Sequence, residues 1–245
     1  MHGVQAAAYD GEGAEGQFTQ YEGTRDQNGR LLDQNNRLVV EQDPLVGCVP
    51  FDIKDVRERD AVANLARTPY DLVYMDFPGG TLDQIKAIGQ SEDSVEDLVG
   101  LWTDAGFRVV VVVPIGPLMN SIRSVGKAMD YFIGSEILVA MMGAFCEEQK
   151  DFVLYYGYED ALGQSKGGVT RKRLIEEGHR EIFIPNLSPS TYSLLDEQSL
   201  AYDRALLDPA TLLGDSLRIK GWLRKFREAL PSDLASVICG EVPAA

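Results

Sequence analysis

The chain is poor in the residues that carry metal and redox chemistry. It has 3 cysteines, Cys48, Cys146 and Cys239, far apart and without a CxxC pair. That spacing suggests neither a disulfide framework nor a zinc site, and a reducing cytosol fits it best. The 2 histidines, His2 and His179, show no ligand spacing, so neither a histidine metal centre nor a Ser/Cys–His pair is expected. Positive charge is also scarce. There are 23 Lys and Arg against 38 Asp and Glu, a net charge of -15. Duplex-binding surfaces release counterions through clustered cations, so nucleic-acid contact is expected only through a local basic patch or indirectly. Long apolar stretches are missing: runs such as Val109–Pro114 fall far short of the roughly 20 residues of a membrane span. The first apolar run, Val4–Tyr9, passes straight into acidic residues, unlike a secretory leader.

What is present is an alternation of short apolar runs and amphipathic segments. This predicts a single α/β domain over 1–245, a three-layer α/β/α arrangement around a mostly parallel, twisted sheet. Strands are expected at Val4–Tyr9, Val46–Phe51, Leu72–Met75, Val109–Val113, Phe152–Tyr156 and Glu181–Ile184. The unbroken β-branched run Val109–Val113 reads as a parallel strand covered on both faces. Helices are expected over Asp55–Ala66, Ser94–Ala105, Leu118–Phe132 with a further turn to Cys146, and Thr170–Glu177. Gly106 and Gly178 are placed to cap two of them. Residues 11–45 read as a polar, acidic loop region with at most a short helix, and 189–235 as a helical segment. In that segment Leu212, Ile219, Trp222, Leu223, Phe226 and Leu230 form an apolar stripe, beside the basic Arg218, Lys220, Arg224, Lys225 and Arg227. A second basic cluster comprises Lys166, Arg171, Lys172 and Arg173. Val95, Leu98, Trp102, Trp222 and Phe226 are candidate core, and Met141–Met142 beside Phe145 is packing or a dimer surface.

Two motifs could carry chemistry. Gly11-Glu-Gly-Ala-Glu-Gly16 fits GxGxxG after a predicted strand, with Asp33 downstream, the outline of a dinucleotide fingerprint. Asp10, Glu12 and Glu15 would, however, surround a pyrophosphate that needs bare N–H groups and a positive helix end. The other motif is Asp76-Phe-Pro-Gly-Gly80 at the end of an apolar strand. It sets one carboxylate at the carboxyl edge of a sheet, where it can hold a Mg²⁺-bound water beside phosphates. The glycines let the backbone approach a phosphate; a turn whose Asp caps the next segment is the alternative.

In chain order these segments resemble the ParA/MinD-like deviant Walker (SIMIBI-class) P-loop NTPases. His2-Gly-Val-Gln-Ala-Ala-Ala-Tyr-Asp10-Gly-Glu12 is similar to the strand ending in the acidic Walker A′ element, and Tyr70–Gly80 to the Walker B strand. Val109–Pro114 resembles the next central strand. Ile182-Phe-Ile-Pro185 resembles the late strand whose proline loop lies near the base, and the residues beyond are closest to ParA-like proteins of plasmid partition and conjugation. The resemblance implies a cytoplasmic, ATP-driven dimer switch of a bacterial mobile element. Asp76 would hold Mg²⁺ through water, Asp10 and Glu12 would orient the attacking water, and Pro78, Gly79, Gly80 and Pro185 would line the nucleotide.

The departures are equally specific. No GxxxxGK[ST] occurs: Gly126-Lys127 is followed by Ala128, and Lys166-Gly-Gly168 is no phosphate loop. Tyr155-Tyr156-Gly157 lacks the Asn the family often uses at the base. The chain reads like a member taken up just after its first strand and P-loop helix. Without the phosphate-neutralising lysine, ATP hydrolysis is expected to be poor or absent. Two other readings remain: a non-catalytic adaptor on a degenerate NTPase fold, and an NAD(P)-dependent enzyme using Gly11–Gly16.

Overall fold

A computed structural model describes residues 4–13, 16–26, 32, 42–89 and 93–238. His2, Asp33 and Cys239 lie outside them. The N-terminal elements are β1 (Ala6–Asp10), α1 (Gln17–Glu22), β2 (Val49–Pro50), α2 (Ala61–Asn64), β3 (Leu72–Asp76) and α3 (Leu82–Gly89). Next come α4 (Ser94–Asp104), β4 (Val110–Ile115), α5 (Met119–Tyr131), β5 (Glu136–Met142) and α6 (Val153–Tyr156). The short strands β6 (Tyr158–Glu159) and β7 (Ser165–Lys166) precede α7 (Val169–Glu176) and β8 (Arg180–Ile184). The chain closes with α8 (Pro189–Glu197), α9 (Tyr202–Leu207), α10 (Leu213–Ala229) and α11 (Ser232–Ile238). The protein is thus mixed α/β with parallel sheets, and it divides into two compact units.

The first unit comprises Met1–Ser94, Tyr192–Thr211 and Ser232–Ala245. Its sheet has the order β2-β1-β3, all parallel, with β1 in the centre. The alanines of β1 leave little side-chain bulk, and Ala7 is fully buried. The register pairs Asp10 with both Pro50 and Asp76, so two carboxylates end adjacent strands at the same level. Side chains tie the C-terminal segments to this unit: Tyr21 donates to Asp196, Arg204 to the Glu22 carbonyl, and the Tyr74 hydroxyl to the Ile238 carbonyl.

The second unit comprises Val95–Thr191 and Leu212–Pro231. Its parallel sheet runs β4-β5-β8, and Ile137 to Met141 of the central β5 are all buried. Helix α5 lays Ile122, Val125, Ala128 and Met129 against it, and Phe152, Tyr155 and Leu174 complete the cluster. Val95, Leu98 and Trp102 are buried as expected, and left-handed Gly106 and Gly178 end α4 and α7.

Several expectations fail for identifiable reasons. The helical turn expected up to Cys146 is strand β5. Gly134, at φ 86, stops α5, and the following apolar run is a strand buried on both faces, which periodicity cannot separate from a buried helix. Phe152–Tyr156, expected as a strand, is helical. Glu148 and Asp151 form a reciprocal capping box ahead of it, and Phe152 and Tyr155 are buried one helical turn apart. In Asp55–Ala66 only Ala61–Asn64 is α-helical, because the Asp55 carboxylate draws the Arg57 N–H into a local turn. Strand β4 is not covered on both faces. It is an end strand, and Val112 is 54% exposed between buried Val113 and its neighbours.

The burial contrast within one sheet sets a test. Ile137→Ala should cost about 2–5 kcal/mol, whereas Val112→Thr should stay within about 0.5 kcal/mol. Urea unfolding followed by the fluorescence of Trp102 and Trp222, both in the second unit, measures the two. Equal losses would contradict the assignment of β5 as the buried centre.

Candidate functional site

The carboxyl edge of the first sheet is where its chemistry-bearing residues gather. Strand β1 ends on Asp10, which is 0% exposed. One oxygen, Oδ1, accepts the Glu12 N–H at 3.0 Å, and Oδ2 accepts the Thr19 N–H at 2.7 Å. Thr19 is the third residue of α1, and the N-cap Gly16 offers no side chain. Asp10 therefore caps α1 across the glycine turn, placing a negative charge at a positive helix end. The fit is tight: a Cβ on Gly16 would lie 2.2 Å from both carboxylate oxygens.

The turn is clamped on both sides. Gly11 donates its N–H to the Asp76 carbonyl at 2.8 Å and accepts the Ile53 N–H at 3.2 Å. A Cβ there would reach 3.0 Å from the Phe77 ring, itself edge-on to Phe51 at 6.3 Å. Gly13 donates to the Phe51 carbonyl at 3.0 Å. Below the turn, buried Thr19 donates its hydroxyl to Cys48 Sγ at 3.7 Å, and burial pushes the Cys48 thiol up to about 12. Cys48 is therefore a packed thiol rather than a nucleophile.

Asp76 behaves differently from Asp10. Its residue is exposed, yet its carboxyl is held above the ordinary value of 3.8 by partial desolvation, then by the charges of Asp10 and Glu12; the Phe77 N–H works against them. The chain then turns through Pro78, Gly79 and Gly80, whose φ of 88 suits glycine. Buried Thr81 donates to the Pro78 carbonyl, and α3 begins. Gly11, Glu12, Asp52, Lys54 and Pro78 line an open pocket of about 310 Å³ at this edge.

Asp10, Glu12, Asp76, Pro78, Gly79 and Gly80 are thus brought to one sheet edge. Pro185 belongs to the second unit, where its carbonyl accepts Trp222 Nε1 at 2.6 Å. Trp222 stacks on Phe226 at 5.4 Å, both half-buried. Lys54 and Asp52 went unforeseen, although they follow the strand expected at Val46–Phe51, and strand exits at a carboxyl edge are where ligands meet parallel sheets. Among the described residues no group of three His, Cys, Asp or Glu could hold a metal ion directly, and no helix is long and apolar enough to cross a membrane. Comparison with known proteins finds no matching family model, no matching curated protein and no matching solved structure.

The two aspartates should respond oppositely to substitution. Asp10→Ala strips a buried acceptor from two backbone N–H groups and should cost about 1–3 kcal/mol. Asp76 has a raised folded-state value, so the folded chain keeps a proton that the unfolded chain has already lost. Stability then falls as pH rises through the window that opens above 3.8. Asp76→Asn should therefore be more stable than the native chain at pH 7, with the advantage fading towards pH 4. Thermal unfolding across that range checks the sign.

Proposed function

We propose that this chain is a ParA/MinD-like NTPase-fold protein of a bacterial mobile element, acting in plasmid partition or conjugative transfer, with a three-layer arrangement and a nucleotide site impaired in ATP hydrolysis. One observation carries the reading. Asp10 and Asp76 end adjacent parallel strands in register, and Asp76 is followed by a Pro-Gly-Gly turn at the rim of an open polar pocket. In the resemblance these positions are the Walker A′ and Walker B acids.

The residues fit a hydrated divalent cation in charge. Asp76 is solvent-accessible, partly desolvated and raised by neighbouring acids, so a cation nearby would relieve it. The donor set limits that contact to one through water, and Asp76 is the residue that would hold it. A Mg²⁺ there would neutralise phosphate charge; among the described residues, the cation lining the pocket is Lys54.

The adaptor reading gains from Asp10. Both its oxygens are committed to backbone N–H groups, which leaves Glu12 and Asp52 as the acids lining the pocket among the described residues. The same bond weighs against a dinucleotide at Gly11–Gly16, since the Thr19 N–H that a pyrophosphate would want already has its acceptor.

Melting temperature with Mg–ATP and with NAD(P)H, beside a phosphate-release assay, separates the three readings. A switch with a crippled site gives a shift of about 1–3 °C with millimolar Mg–ATP, lost in Asp76→Asn, and no phosphate above the blank. No shift with either ligand favours the adaptor. A saturable shift with NAD(P)H alone favours the dinucleotide enzyme, and turnover near 1 s⁻¹, an ordinary enzyme rate, would refute the impaired site.

A further inference from the structure

We propose that the outward stripe of α10 is a docking site for an acidic amphipathic helix of a partner protein. In this helix Ile219 and Asp215 point inward: Ile219 is fully buried, and Asp215 accepts from Thr191 at 2.6 Å and Arg218 at 2.8 Å. The opposite side is unusual. Leu213 is 84% and Leu217 71% exposed, and Lys220 and Arg224 continue them. Spacings of i, i+4, i+7 and i+11 align these four side chains on one face of a helix. The first half of the stripe is therefore apolar and the second half cationic, over about 16 Å at 1.5 Å per residue.

The cations are uncommitted. Among the described residues Lys220, Arg224 and Lys225 have no ion pair. The basic cluster around α7 is spent locally: Lys166 pairs with Asp160, Arg171 with Glu181, Lys172 with Glu176, and Arg173 with Asp130 and Glu177. In a chain of net charge -15, unpaired cations next to exposed leucines select a ligand that is both acidic and apolar.

Charge and pattern choose among occupants. A second copy presenting its own α10 would set cation on cation, or leucine on cation. An interfacial helix needs an apolar stripe along its whole length with cations at the flanks, and only half of this stripe is apolar. Duplex nucleic acid would take the cations but strand the leucines against phosphates. An antiparallel helix with glutamates in its first turns and leucines in its later turns matches both halves. Its acids also lie at its own positive end.

The probe is a fluorescein-labelled helical peptide of about 16 residues, with two glutamates four apart near its N-terminus and two leucines four apart in its second half. Anisotropy titration against the full chain should show saturable binding. Leu213→Ser with Leu217→Ser should weaken it by about tenfold or more, as should Lys220→Glu with Arg224→Glu. A peptide with lysines for the glutamates should bind the charge-reversed variant and not the native chain, which excludes misfolding as the cause of the loss. The proposal falls if the native chain does not bind the peptide. It also falls if both double variants bind as well as the native chain, or if anionic phospholipid vesicles or duplex DNA bind through α10 while the peptide does not.

Discussion

The carboxylate of Asp10 is the constraint on which the first unit depends. A buried charge is tolerable only when its hydrogen-bonding capacity is met, and here the acceptors meet backbone donors from two places in the sequence. The Glu12 N–H comes from the turn and the Thr19 N–H from the first turn of α1. Gly16 has to be a glycine because the carboxylate occupies the space of its Cβ. Thr19 is then buried over Cys48, and the turn is held between the exits of β2 and β3. A six-residue helix without a side-chain cap of its own is too short to persist alone, so the strand end supplies what the helix lacks.

That same charge reaches the rim. Asp76 stands level with Asp10 on the neighbouring strand, and the Asp10 charge contributes to lifting its carboxyl. The structural acid is satisfied, and its neighbour bears the electrostatic consequence. A solvent-accessible carboxylate kept in an unfavourable field binds a passing cation more readily than an isolated one. The second unit handles charge in the opposite way. Arg171 is bidentate to Glu181, which also accepts the Tyr155 hydroxyl, and lies 4.6 Å over the Tyr156 ring. Such a closed network leaves no charge for a ligand. Helix α10 differs from that network: among the described residues its Lys220, Arg224 and Lys225 have no ion pair.

Much of the α/β pattern was legible because its signals were local. Leu72–Met75 and Glu181–Ile184 are apolar strands, and glycine stops at Gly106 and Gly178 bound amphipathic helices. The failures came where tertiary burial decided. Ile137–Met142 carries no period, so only its place between β4 and β8 makes it a strand. Phe152–Tyr156 has strand-forming residues, but the burial of Phe152 and Tyr155 one helical turn apart makes it helical, directly after the capped 3₁₀ turn Gln149–Asp151. The candidate site was half legible. Acids at strand ends announce a carboxyl edge, so Asp10 and Asp76 were found, while Lys54 required knowing that β2 pairs with β1. Which acid is structural could not be read at all, since it depends on Gly16 letting Asp10 reach Thr19.

This division of labour decides which acid can discriminate between an NTPase-like site and an adaptor. Asp10 is needed by the fold under either reading, because without it the N–H of buried Thr19 and the N–H of Glu12 lose their acceptor and α1 loses its cap. Its presence therefore does not separate the two readings. Asp76 caps no helix in this way; the Phe77 N–H favours its charge, but desolvation and the charges of Asp10 and Glu12 outweigh it, and the residue is exposed. Folding alone would favour a neutral side chain at that position. A charge that the fold does not need, at the edge where parallel sheets meet their ligands, is therefore the one whose removal separates the two readings.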